Sequence, residues 1–198
     1  MKIIFISGPS GSGKTTLSNQ IIVKIKDGFV LSTDNYYKTG LISKILSKFV
    51  KDYFDRRISF NYKLFKKDFN SIIQKGISMN KRFYNFKEKR IKQSLEETLN
   101  INFLIVEGIF AREISNNLYD QNYFFLELKI NKNDCMKRAV QRDSKERGKA
   151  KNKAEIDFLK SWEIYYEKNN NKKIKNNLKE ITITKNTNID DLINKLFF

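Results

Sequence analysis

The sequence predicts a three-layer α/β domain on a five-stranded parallel sheet, and three observations carry that expectation. Five short apolar runs of strand length are spread along the 198 residues. Helical periodicity fills the stretches between them. A glycine-rich loop, Gly8 to Thr15, joins the first run to the first helical stretch.

Lys2 to Ser7 is a nearly continuous apolar run, the pattern of a strand buried on both faces. From Lys14 to Lys26 the apolar residues Leu17, Ile21, Ile22 and Ile25 recur at helical spacing, so a helix follows the loop. Phe29 to Ser32 reads as the second strand. The third begins only at Phe103, and residues 41–100 form an insertion too long for a plain crossover. Structureless loops beyond about 15 residues are uncommon, so the insertion must carry its own elements. Leu41 to Tyr53 and Asn61 to Lys75 read as helices, and Ile77 to Phe86 as a small hairpin or an irregular excursion. Phe103 to Val106, Tyr123 to Leu128 and Ile181 to Thr184 complete the five strands. Lys132 to Lys173 reads as charged helices broken at Gly148, and Lys168 to Asn177 as an exposed helix end or loop. Strands separated by helices pair in parallel through right-handed crossovers, with helices on both faces. The length suits one domain over residues 1–198, and the 40% apolar content is enough for its core.

Composition narrows the setting. A single cysteine, Cys135, cannot form an internal disulfide, and the chain opens directly into a strand-like run without a basic leader. These features are read as those of a cytoplasmic protein. No apolar run approaches the roughly 20 residues of a bilayer span, so no membrane role is expected. The 39 Lys and Arg against 22 Asp and Glu, with no His, give a formal net charge of +17. Such a field attracts polyanions, and it steers ATP and nucleotides as well as nucleic acid. The lysines are scattered rather than gathered, as at Lys24, Lys44, Lys63, Lys81 and Lys172, which favours a general compositional bias over a dedicated nucleic-acid surface.

Gly8-Pro9-Ser10-Gly11-Ser12-Gly13-Lys14-Thr15 satisfies the pattern G-x-x-x-x-G-K-[ST] between a strand and a helix. The glycines let the backbone curl so that its N–H groups point inward at a phosphate, and the following helix aims its positive end there too. In this pattern Lys14 bridges the β- and γ-phosphates of ATP, and the Thr15 hydroxyl, with Thr16 beside it, lies on the Mg²⁺ side. Downstream, Asp34 stands at the carboxyl edge of the second strand, where ligands bind in open α/β sheets. It can act as a general base on an acceptor hydroxyl or merely cap the next turn. Glu107 closes the third strand as a residue near the metal or the attacking hydroxyl, or as a solvated strand end, with Gly108 permitting close approach. Arg138, Arg142 and Arg147 fall on a late charged helix, with Lys149 just after it. They can close over ATP and neutralise charge during transfer, or form an exposed ion-paired face with Asp143 and Glu146.

These elements, in this order, resemble the uridine kinase and phosphoribulokinase family of P-loop kinases over roughly residues 2–150. The match rests on Gly8 to Thr16, Asp34-Asn35-Tyr36-Tyr37, Phe54-Asp55 with Phe60, Tyr84-Asn85-Phe86, Glu107-Gly108-Ile109 and the run Arg138 to Gly148. The resemblance implies a P-loop NTPase fold, ATP and Mg²⁺ as cofactors, and catalytic roles for Asp34, Lys14 and Arg142. It also implies an arginine lid over residues 138–152 and an acceptor side made from the insertion. ATP would be held by Gly8, Ser10, Gly11, Ser12, Gly13, Lys14, Thr15, Thr16, Arg138, Arg142 and Arg147. The acceptor would meet Asp34, Tyr37, Asp55, Tyr84, Lys89, Glu107 and Lys149, with Thr15 and Glu107 at the metal.

The chain departs from the family on that acceptor side. Arg56-Arg57 stands where uridine kinases carry His-Pro, Asn85 where they carry Asp, and Lys89 where a base-contacting His is usual; Ala139 and Lys149 replace common arginines. A site built to hydrogen-bond a base discriminates strongly, so base selection is expected to change. The activity implied is transfer of the γ-phosphate to a primary hydroxyl, foremost the 5′-OH of uridine or cytidine. Another riboside such as nicotinamide riboside, a sugar or a vitamin alcohol is the alternative acceptor. A nucleic-acid-binding P-loop ATPase is the alternative of another class, and the family resemblance makes a homo-oligomer plausible.

Overall fold

The computed structural model describes residues 1–76, 78–88, 90–98, 100–117, 123–170 and 179–197. Its main sheet has five strands, β1 (Lys2–Ser7), β2 (Gly28–Ser32), β5 (Phe103–Glu107), β6 (Tyr123–Leu128) and β7 (Lys179–Ile183). Their order is β2-β5-β1-β6-β7, and every pair is parallel. These are the five runs read from the sequence, with the last beginning two residues earlier than Ile181.

Side chains alternate across a strand, so each strand feeds two cores. Ile3 and Phe5 of β1 join Leu104, Val106 and Phe125 on one face, under Phe65, Phe69 and Ile72 of α3 (Tyr62–Lys75). Ile4 and Ile6 join Ile105 and Leu126 on the other, under Leu17 and Ile21 of α1 (Lys14–Ile25) and Leu192 and Leu196 of α7 (Ile189–Phe197). The central strand therefore has no polar face, which is why its sequence reads as an unbroken apolar run. In this order β1 leads to β2 on one side while its neighbour β5 leads to β6 on the other, so the connections leaving these two adjacent carboxyl ends run in opposite directions and open the crevice into which ligands of such sheets fit.

The insertion holds α2 (Leu41–Phe49), short turns at Tyr53–Asp55 and Arg57–Ser59, α3, and an antiparallel hairpin of β3 (Ser78–Asn85) and β4 (Arg90–Thr98). Its first helix is shorter than the Leu41 to Tyr53 span expected. Val50 is extended, and Asp52 takes a left-handed conformation that Asp tolerates, which turns the chain out of the helix. The second helix opens at Tyr62, where the Asn61 side chain accepts a hydrogen bond from the Leu64 N–H. The stretch Ile77 to Phe86, expected as a small hairpin or an irregular excursion, instead supplies one strand, β3, of a longer hairpin whose partner is Arg90–Thr98.

Beyond β5 lie α4 (Ala111–Asn116), then, after β6, α5 (Lys132–Arg147) and α6 (Lys151–Asn170). Gly148 in a left-handed conformation ends α5, giving the break expected there. The stretch Lys168 to Asn177 lies mostly outside the described residues; residues 168–170 end α6. Among the described residues no helix is long and apolar enough to cross a membrane.

Candidate active site

The loop after β1 curls because its glycines occupy places closed to other residues. Gly11 has φ 75°, and a Cβ there would stand 2.1 Å from the Cys135 carbonyl oxygen of α5. Lys14, at the first position of α1, turns back and donates from Nζ to the Gly8 and Pro9 carbonyls, both at 2.9 Å. Burial pushes its ammonium pKa down, while the Glu107 and Asp34 carboxylates draw it up. The Ser12 hydroxyl inside the loop is buried with no partner. A curled backbone, a helix start, one ammonium and an orphaned hydroxyl fit a phosphate group. Thr15 and Thr16 are exposed on the first turn of α1.

Across the crevice, β2 ends at Ser32, in register with Glu107 at the end of β5. Glu107 is 4% exposed, so the solvated strand-end alternative does not hold. Burial pushes its pKa up and the Asp34 carboxylate adds to that, against Lys14 and a Ser32 hydrogen bond. Asp34 sits inside the turn Thr33–Tyr36, whose N-cap position belongs to Ser32, and its Oδ1 is buried without a hydrogen-bond partner. The capping alternative for Asp34 is therefore not realised. Gly108 has φ 136°, and a Cβ on it would approach Thr33 Oγ1 to 1.8 Å, so only glycine lets β5 pass this close to the Asp34 turn. Lys14, Asp34 and Glu107 come together from three different elements.

An aromatic cluster adjoins them. Tyr37 packs edge-on against Tyr84 at 5.1 Å, Phe54 at 5.4 Å, Phe86 at 5.9 Å and Phe110 at 6.2 Å between ring centroids. The Asn35 side chain accepts a hydrogen bond from the Tyr84 N–H at 3.0 Å, tying the hairpin to the Asp34 turn. Asp55 accepts from the Ser161 hydroxyl of α6 at 2.8 Å. A pocket opens here, lined in part by Asp55, Ile109, Phe110, Glu113, Ser161 and Tyr165. Arg57 pairs with Glu113 at 3.0 Å on its wall. Lys89 lies outside the described residues.

The charged helix approaches the loop from the other side. Arg142 donates to Ser10 Oγ at 3.2 Å, and exposed Arg138 stands 3.5 Å from the Gly11 carbonyl oxygen. Arg147 lies over the Phe86 ring at 3.6 Å, joining the helix to the aromatic cluster. Arg142, Arg147 and Lys149 converge on Asp143, at 2.8, 3.3 and 3.3 Å. Lys149 also reaches Asp157 at 2.9 Å. Burial pushes the Asp143 carboxyl up, but the Arg147 and Arg142 guanidiniums outweigh it and hold its pKa below the usual value. The ion-paired reading of this helix is thus half right: the pairs exist, but they are centred on a buried carboxylate and aim two arginines at the site. The tie from Asn35 to Tyr84 and the bond from Ser161 to Asp55 were not read from the sequence, because they span 49 and 106 residues and leave no local pattern. Asp143 has its partners close by in the chain, but its spacing does not record that it is buried as their hub.

The family model for the phosphoribulokinase / uridine kinase family matches residues 3–184. The chain belongs to this family. A uridine kinase of Borrelia duttonii is 31% identical over 170 residues, covering 84% of this chain and 79% of that protein. One of Clostridium novyi is 30% identical over 151 residues, covering 74% and 70%. Among solved structures, D-glycerate 3-kinase of Cryptococcus neoformans var. grubii aligns over 92% of this chain and 86% of its own with a TM-score of 0.61. At 12% identity that likeness is one of fold. The family member described here is a P-loop kinase, a phosphotransferase with an alcohol group as acceptor.

Proposed function

We propose that the chain transfers the γ-phosphate of Mg-ATP to a primary hydroxyl of a small molecule, foremost the 5′-OH of uridine or cytidine. One observation carries the reading: Asp34, with a buried, unpartnered oxygen, lies close enough to Lys14 and Glu107 to shift the titration of both. A carboxylate so placed can accept the proton of an attacking hydroxyl and align it with the phosphate held in the loop. Lys14 would leave the Gly8 and Pro9 carbonyls for the β- and γ-phosphates, while Arg142 and Arg147 neutralise charge on the transferring group. Arg138 borders the donor on the open side.

The donor set suits Mg²⁺ shared with a substrate rather than caged by protein. The Thr15 hydroxyl and the Glu107 carboxylate would hold the ion together with the substrate's phosphate oxygens. When bound, Mg²⁺ supplies electrostatic neutralisation of the phosphates. Residues 1–198 act as one kinase unit in this reading, with 41–100 on the acceptor side and 138–152 as the lid.

The acceptor would lie between the aromatic cluster and Asp55, within reach of Tyr37, Tyr84 and Lys149. The uridine kinase relatives support a nucleoside there. A second acceptor class, another riboside, a sugar or a vitamin alcohol, is favoured by the Arg57–Glu113 pair on the pocket wall, where uridine kinases carry proline in place of Arg57. A transfer screen with labelled ATP over nucleosides, sugars and single-stranded oligonucleotides separates these acceptors. Transfer confined to oligonucleotides would sink the small-molecule reading. Asp34→Asn should lower transfer by roughly 10²- to 10⁴-fold while Mg-ATP still binds. Retained turnover would remove Asp34 from the base role.

A further inference from the structure

Behind the phosphate loop lies a buried polar cluster that the chemistry above does not use. Ser7, the last residue of β1, is 0% exposed, and its Oγ lies 2.8 Å from the Tyr165 hydroxyl of α6. Tyr165 donates to Glu127 Oε1 of β6 at 2.6 Å. Arg112 of α4 donates to Glu127 Oε2 at 3.1 Å and to Glu180 of β7 at 3.2 Å, and its guanidinium lies over the Phe125 ring at 4.7 Å.

The direction of these bonds is determined. Burial, reinforced by the Glu127 carboxylate, pushes the Tyr165 phenol well above its usual pKa, so it keeps its proton. That single proton goes to Glu127, hence the Ser7 hydroxyl must donate to the phenol oxygen. The relay runs Ser7 to Tyr165 to Glu127, with Arg112 closing it from the far side.

Tyr165 lies on the helix paired with the lid helix, so one helical pair holds the loop at its middle and at its root. α5 meets its middle through Arg142 on Ser10, Arg138 near the Gly11 carbonyl and the Cys135 carbonyl against Gly11. α6 meets its root through Ser7. We propose that Tyr165 is a positioning residue for the phosphate loop, fixing Ser7, and through it the start of the loop, against Glu127 and the base of the lid. The proposal rests on the loop being the Mg-ATP site but not on the identity of the acceptor. Positioning of this kind matters because small displacements of phosphate-binding groups are costly to binding and transfer.

A double-mutant cycle on Mg-ATP affinity tests it, with the melting temperature followed alongside. Tyr165→Phe keeps the ring and removes both bonds, so Ser7 Oγ and Glu127 Oε1 lose their shared partner while Glu127 Oε2 keeps Arg112. It should weaken Mg-ATP binding about tenfold. Ser7→Ala should weaken it similarly, and the double variant no more than the worse single one, because the two act through one contact. Tyr165 also lines the pocket beside Asp55, so the acceptor control is read in Ser7→Ala, whose side chain does not line it: there the KM for the acceptor should not move, which a general loosening of the fold would not spare. Tyr165→Phe binding Mg-ATP like the wild type, or the two losses multiplying, overturns the proposal. If Tyr165→Phe does not fold, Ser7→Ala and Glu127→Gln decide, and unchanged affinity in both overturns it. Wild-type binding with no transfer to any nucleoside would instead sink the nucleoside reading and leave the positioning role standing.

Discussion

Asp143 sits where three cations meet, and its fate with pH follows from that. Its carboxyl is held below its ordinary value of 3.8 by Arg147 and Arg142 despite burial. A depressed folded pKa contributes stability that is fully present above 3.8 and is lost as pH falls through the lower folded value. Asp143→Asn removes the only acidic partner shared by Arg142, Arg147 and Lys149 among the ion pairs described. The expected cost is about 2 kcal/mol, the worth of charge-assisted hydrogen bonds in a partly buried site. Thermal unfolding at pH 7 should show the variant melting roughly 4–8 °C below the wild type. The two curves should draw together as pH falls below 3.8 and through the lower folded value, since the wild type then loses the same bonds by protonation. A gap that persists in acid would mean that the loss is one of packing. The catalytic consequence belongs to the same residue: freed of Asp143, Arg142 is less well aimed at Ser10, so affinity for ATP should fall along with stability.

At the scale of the element, α2 is built the wrong way round for a helix covering a core. It buries Ser43, whose hydroxyl donates to the Lys38 carbonyl at 2.7 Å and accepts from Tyr53 at 3.2 Å, and it leaves Leu41, Ile42, Ile45 and Phe49 more than half exposed. Replacing an exposed side chain without partners usually changes stability by no more than about 0.5 kcal/mol. Ile42→Lys and Phe49→Lys should therefore leave the melting temperature of the isolated chain within about 2 °C of the wild type. A larger drop would show that this face is covered in solution. The same helix marks where sequence reading ends. Its apolar spacing announced a helix correctly but said nothing of which face turns inward, because that is settled by the Ser43 contacts with Lys38 and Tyr53. β1, the loop and the break at Gly148 were legible because their signals are local: an apolar run, glycines at fixed offsets, a glycine ending a charged helix. The pairing of Tyr84 with Asn35, or of Ser7 with Tyr165, spans 49 and 158 residues and leaves no local mark. The residues of the candidate site could thus be named from the sequence, whereas the scaffold that brings them together could not.

For the whole molecule the controlling quantity is the net charge of +17. Two effects of salt follow, and they run in opposite directions. Like charges spread over one surface repel, which destabilises the folded chain, and screening relieves that repulsion. The same surface attracts ATP, itself a polyanion, and screening weakens the attraction. Between 0.05 and 0.5 M salt the screening length shrinks from about 14 Å to about 4 Å, short of most separations between surface charges but not of the contacts inside the site. The melting temperature should therefore rise with added KCl while the KM for ATP rises several-fold and kcat stays nearly constant. Constant kcat is the discriminating part. In the proposed reaction Arg142 and Lys14 would act at contact distance in a partly buried crevice, where screening is weak, so salt should affect capture and spare transfer. A kcat that falls in parallel with ATP affinity would place the lid arginines in open solvent, with the lid docking on the loop only through long-range attraction. A melting temperature that falls with salt would show instead that the ion pairs around Asp143 and Glu127 outweigh the repulsion of the surface lysines.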